Sequence, residues 1–246
     1  MPDKRQHRGP HPDDHKLFAP DAYPTLRAAL ADYSLLLTKG YAERSALKLV
    51  GDHFSLRQRQ RLALMRSACS DQARQLRRQK QVHPTALADA TLLLDGYNVL
   101  TTVEAALAGG VILLARDGCY RDLASIHGTY RQVNETCPAA DLIGQFLTTR
   151  NIARAHWYLD SPVSNSGRLK TLLLQIAAQA GWNWRVELVY SPDAVLANAT
   201  DVIATADSVI LDKCTRWCNL ARAVLEATAP PANLLDFTQD PPEAQP

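Results

Sequence analysis

A chain of 246 residues with 46% hydrophobic and 21% charged residues has the make-up of a globular protein with length for a full core. No run approaches the roughly 18 to 20 apolar residues of a membrane span, the opening MPDKRQHRGPHPDDH has no apolar h-region, and the five cysteines are odd in number and scattered, so the expectation is a cytoplasmic protein with no membrane partner and no disulfide framework. The net charge of +2 divides unevenly: residues 1–90 hold 16 Lys/Arg against 9 Asp/Glu (+7), and residues 91–246 hold 11 against 16 (−5), which fits a basic nucleic-acid holder joined to a carboxylate site, or two ordinary domains.

Residues 1–20 are polar and hold four prolines, so they read as a flexible arm. Apolar positions at helical spacing predict a helix over 22–38, stopped at Gly40. A second short helix is expected over 43–50, ended by Gly51. Ser55 reads as the N-cap of a long helix over 56–79. That helix and the Lys80 just after it carry eight basic residues, Arg74, Arg77 and Arg78 among them, with only Asp71 to oppose them. A solvated helix face would look like this, and so would a phosphate-contacting one, because the guanidinium fork suits phosphate oxygens. Residues 21–84 thus form a small, basic, all-α module.

After Pro84 the texture changes. Strands are expected at 91–94, 111–115, 155–159, 185–190, 202–205 and 233–237. Helices are expected at 103–108, 120–131, 139–149, 167–180, 192–199 and 215–228. Strands alternating with helices predict an α/β domain over 85–238 with a mostly parallel sheet covered on both faces. The proline-rich residues 239–246 read as a disordered tail.

Ligands of open parallel sheets bind at the carboxyl ends of strands. Three predicted strands end at or near an aspartate: Asp95 in LLLD, Asp160 in HWYLD and Asp207 in VIATAD. Asp193, in the helix after the 185–190 strand, and Asp117, in the loop after Ala115, are candidates to support them. One such aspartate is usually a cap or a turn residue. Several together repel one another unless a hard cation with oxygen ligands neutralises them, which points to Mg²⁺ or Mn²⁺ and phosphoryl chemistry.

LLLDGYNVL resembles the first motif of the NYN group of PIN-like nuclease domains, in which an asparagine follows the aspartate of the first strand. HWYLD and VIATADS are similar to that group's later acidic strands, in the same order. The resemblance implies a PIN-like ribonuclease dependent on Mg²⁺ or Mn²⁺, with Asp95, Asp160 and Asp207 as metal ligands and Asn98 orienting a ligand or a water. The acidic pair usual before the last motif is missing, so Asp193 or Asp201 has to serve there, or the site is incomplete. The whole chain also resembles an uncharacterised prokaryotic family, in which a basic module (domain-of-unknown-function family 434) precedes such a domain.

Ser164, Asn165 and Ser166, with Arg168, stand where a strand hands over to a helix. They can bind a phosphate at the helix N-terminus, or Asn165 or Ser166 can simply cap it. Cys214 and Cys218 read as buried thiols on one helix face. The chain has no Walker loop, GxGxxG or GxSxG. Three functions remain: a metal-dependent ribonuclease whose N-terminal helices grip single-stranded or structured RNA, a non-catalytic RNA-binding adaptor with a degenerate site, and a phosphatase or other small-phosphate enzyme using the same acids.

Overall fold

The computed structural model describes residues 7–124, 128 and 130–238. In chain order the elements are α1 (Asp14–Leu17), α2 (Tyr23–Thr38), α3 (Glu43–His53), α4 (Gln58–Ser67), α5 (Asp71–Lys80), β1 (Thr91–Asp95), α6 (Gly96–Leu107), β2 (Ile112–Leu114) and β3 (Tyr120–Asp122). There follow α7 (Thr136–Thr149), β4 (Arg154–Asp160), α8 (Ser166–Ala180), β5 (Trp184–Val189), α9 (Pro192–Ala197), β6 (Val202–Ala204), α10 (Ser208–Lys213), β7 (Trp217–Cys218), α11 (Leu220–Thr228) and β8 (Leu234–Asp236). No described helix is long and apolar enough to cross a membrane.

The α/β expectation holds: five strands form one parallel sheet in the order β5-β4-β1-β6-β7. A second sheet, β3-β2-β8, pairs β2 antiparallel with β3 and parallel with β8. Period-two alternation divides the leucines of β1 between two cores. Leu92 and Leu94 join Trp157 and Leu159 of β4 under α6, α7, α8 and α11. Leu93 joins Tyr158 and Ile203 under α9 and α10. Asp95 and Asp160 continue the parity of Leu93 and Tyr158, and Thr205 continues that of Ile203. The pleat therefore aims these three polar residues at the side where α9 and α10 begin.

The N-terminal module differs in detail from its sequence reading. The expected helix over 56–79 is broken, because residues 68–70 are extended and Ser70 caps α5 by accepting the Ala73 N–H at 3.1 Å. The break is held from outside: Arg116 donates its N–H to the Ser67 carbonyl and its guanidinium to that of Cys69. Gly51 lies inside α3 instead of ending it, since the Arg61 guanidinium rests where its side chain would be. Ser55 sits at φ +51 and starts no helix.

Residues 7–20 are not a loose arm. They contain α1, the buried Phe18, and the buried Asp14, which pairs with Arg59. Arg8 reaches the fully buried Glu104. Residues 1–6 of the expected arm, and the expected disordered tail at 239–246, lie outside the described residues. One core also spans the expected boundary near residue 84: Leu26, Leu30, Tyr33 and Leu64 pack with Leu113, Leu235 and Phe237.

Two helices of the sequence reading are replaced. Tyr120 begins β3, turned back onto β2 at Gly118 (φ +82), instead of a helix over 120–131; residues 125–127 and 129 of that stretch lie outside the described residues. The region 215–228 holds β7 before α11, and α10 precedes it unforeseen. Cys214 and Cys218 therefore share no helix face, although both are buried free thiols as expected.

Candidate active site

β1 delivers Asp95 to the carboxyl edge of the sheet with 7% of its surface exposed. The chain turns straight into α6, and Gly96 is what allows it. A Cβ there would stand 2.5 Å from a Leu159 methyl and 2.8 Å from the Tyr158 carbonyl. Asp95 occupies the N-cap position of α6 yet makes no cap hydrogen bond. Its Oδ2 accepts the Thr205 hydroxyl at 2.7 Å, and Oδ1 has no hydrogen-bond partner among the described residues.

Thr205 joins two candidate acids. Besides donating to Asp95 it accepts the Asp207 N–H at 2.9 Å. Asp207 does cap: its Oδ1 takes the N–H groups of Val209 at 2.7 Å and Ile210 at 3.3 Å. Asn98 holds the same loop, since its Oδ1 accepts the Ala206 N–H at 2.8 Å. The asparagine oxygen is therefore engaged by the fold. Asp193 lies exposed in the first turn of α9, whose cap is Ser191.

These carboxylates share one field. Burial raises Asp95 to about 7; the Thr205 hydrogen bond works against the shift, and the charges of Asp207, Asp193 and Asp160 add to it. Asp160 is raised by desolvation and then by Asp193. Asp193 is raised by the protein mass around its carboxyl and then by Asp207. Among the described residues no three His, Cys, Asp or Glu side chains are gathered closely enough to form a ready-made ion site.

Asp95, Asn98, Asp193 and Asp207 line a cleft of about 670 Å³ whose opposite wall comes from the N-terminal helices. Asp122, which sequence reasoning missed, also lines it; the carboxylate accepts from Thr102 and from the Ala124 N–H and pairs with Arg66. Asp160 adds to the field at Asp95 but does not line this cleft.

Asp117 is not part of the acidic group. It is buried between Arg77 at 2.6 Å and Arg121 at 2.7 Å, and these guanidinium groups hold its carboxyl well below the usual range against the opposing effect of burial. Arg77 is correspondingly no RNA contact: it is 3% exposed and also pairs with Asp212 at 2.7 Å. Arg59, Arg61 and Arg66 of the same basic stretch are paired as well, with Asp14, Asp52 and Asp122. Arg74 and Arg78 are exposed, with no ion pair among the described residues.

Arg121 also donates to the Ala206 carbonyl at 2.7 Å, so the buried Arg77–Asp117–Arg121 chain ties the N-terminal module to the loop that carries Thr205 and Asp207.

At the 164–168 turn, Asn165 adopts φ +70 and gives its amide to the Tyr130 carbonyl at 3.0 Å, so it does not cap α8. Ser166 is buried, whereas Ser164 and Arg168 are exposed. None of the four lines the acidic cleft. Thr205 was the missed residue nearest the chemistry, and the Thr-x-Asp order at the end of a strand was its signal.

Residues 84–223 match the family described as Domain of unknown function (DUF5616), and residues 25–80 match Protein of unknown function (DUF434). Uncharacterized protein MJ0935 of Methanocaldococcus jannaschii is 32% identical over 187 residues, covering 76% of this chain and 89% of that protein. No solved structure matches the chain.

Proposed function

The chain belongs to the family described as Domain of unknown function (DUF5616), and for this member we propose a divalent-metal-dependent ribonuclease with a PIN-like site, hydrolysing RNA phosphodiesters at the carboxyl edge of the parallel sheet. One observation carries the reading. Asp95 is a buried carboxyl that caps no helix, has one oxygen without a partner among the described residues, and opens on a cleft that four further aspartates line, Asp193 and Asp207 among them. Burying an uncompensated carboxylate is costly, and a fold that does so at the ligand-binding edge of a sheet has a use for the charge.

The donors are all carboxylate oxygens, the chemistry that suits Mg²⁺ or Mn²⁺. Asp95, Asp160 and Asp207 would hold the ion, with Asp193 supporting them, once drawn closer than they stand here, where no three acids gather around one point among the described residues. When bound, the ion supplies positive charge against the acids and against a phosphate oxygen. The chain's own residues do the positioning. Thr205 fixes one oxygen of Asp95 and the backbone of Asp207 together. Asn98 and Arg121 hold Ala206 from its two sides, N–H and C=O, which keeps the loop from relaxing away from β1. Arg74 and Arg78 are the exposed cations left on α5 to meet the RNA backbone.

The test is cleavage of a labelled RNA with Mn²⁺ by wild type and by Asp95→Asn. Cleavage by wild type that the variant loses supports the assignment, and equal cleavage by both removes it. A second reading, an RNA-binding adaptor without catalysis, is favoured by Asp207, whose Oδ1 is already committed to capping α10. It expects salt-dependent RNA binding that needs no metal and survives Asp95→Asn, with no cleavage by either protein.

A further inference from the structure

The cleft also has an apolar lining. Tyr41, 56% exposed, and Met65, 46%, stand on the wall from the N-terminal module, and Val209, 52% exposed, stands beside Asp207 in the first turn of α10. Large apolar side chains scattered singly over a surface are ordinary, whereas several around one concave opening mark a binding surface.

Tyr41 is also held rigidly at its backbone. α2 ends with Gly40 at φ +83, the Gly40 N–H donates to the Leu37 carbonyl at 3.0 Å, and the Tyr41 N–H donates to that of Leu36 at 3.1 Å. This double bond is the Schellman closure of a helix. The same helix end is tied to α5, because the Thr38 hydroxyl accepts the Asp71 N–H and its carbonyl accepts the Gln72 amide. The Tyr41 side chain itself makes no hydrogen bond or ring contact among the described residues. A tyrosine on a fixed backbone loses little freedom when it is covered.

The occupant must be flat and apolar on one side and must approach an acidic edge without being repelled. Arg74 and Arg78 are exposed on α5, the helix whose Ala73 and Arg77 line the cleft, so this helix carries free basic charge near the opening. A nucleobase is uncharged and flat, and the phosphates it carries match those cations. A base inside a duplex has both faces stacked, so only an unpaired one can offer its face to a side chain.

We propose that Tyr41, in the cleft it shares with Met65 and Val209, is the stacking platform for an unpaired base, and that the protein selects single-stranded polynucleotide. The proposal rests on the nucleic-acid reading above and not on its metal or its hydrolysis.

The experiment is fluorescence anisotropy with full-length protein and a labelled 12-nucleotide RNA, single-stranded or annealed to its complement, in EDTA so that cleavage cannot intervene. Wild type, Tyr41→Phe and Tyr41→Ala are compared after circular dichroism shows equal folding. The expected result is tighter binding of the single strand, weakened about 5- to 150-fold in Tyr41→Ala and retained in Tyr41→Phe. Equal binding of single strand and duplex overturns the proposal, as does unchanged binding by Tyr41→Ala. So does a change in self-association, seen by ultracentrifugation, with RNA binding unaffected, because the wall would then be a protein-contact face. Failure of the nuclease reading looks different: single-strand binding depends on Tyr41, yet Mn²⁺ brings no cleavage.

Discussion

Asp95→Asn should make the protein more stable, and by an amount that depends on pH. Burial, with the neighbouring acids, raises Asp95 to about 7 from an ordinary value of 3.8. A carboxyl raised on folding gives its full stability below the unfolded value, and that stability is lost as pH rises through the folded one. Here the loss begins near pH 4 and is complete above pH 7, with a ceiling of about 4 kcal/mol. Asparagine is neutral, nearly isosteric and still accepts from Thr205, so it escapes the loss. Its advantage over wild type should grow by about 3 kcal/mol between pH 5 and pH 8, or roughly 6 to 12 °C in Tm for a chain of this length. Thermal melts of both proteins at the two pH values in EDTA measure it. A difference in Tm that is the same at pH 5 and pH 8 would refute the reasoning, since an internal cation would then already compensate the charge. Adding Mn²⁺ at pH 8 should recover stability in wild type and little in the variant.

Two further outcomes follow from the ion pairs. Arg77→Ala strips Asp117 of one of its two guanidinium partners and leaves the half-exposed Asp212 without its own, so urea denaturation should show a loss of about 1.5 to 3 kcal/mol, less than orphaning a buried charge because Arg121 still pairs with Asp117; a loss under about 1 kcal/mol would mean the bridge between module and sheet is dispensable. Replacing Arg74 and Arg78 by glutamine should leave Tm in place and lower the slope of log K against log salt for single-stranded RNA by about 1.4. An unchanged slope would remove α5 from the RNA contact.

Much of the α/β half was legible because its signals are local. Apolar runs of strand length, each closed by a turn or an aspartate, gave β1, β4, β5 and β6 to within a residue or two. What misled were stretches where long-range bonds overrule propensity. The basic run 56–79 has helix-forming residues throughout, and its break depends on Arg116, which is remote in sequence and satisfies the carbonyls that the break frees. The charge run also looked unopposed because its partners, Asp14, Asp117, Asp122 and Asp212, lie on other elements.

The sequence by itself determined that Asp95, Asp160 and Asp207 fall at strand ends, because alternation and strand length are written in neighbouring residues. Tertiary structure alone decided how each acid is used. Two arginines from separate elements neutralise Asp117 in the interior, so it is structural. Asp207 is half committed to the N–H groups of α10. Asp95 stays uncompensated because the protein that covers it brings one threonine hydroxyl and three more carboxylates, and it makes no ion pair among the described residues. The environment of a buried charge is assembled from residues up to 110 positions away in the chain, and no local pattern encodes it.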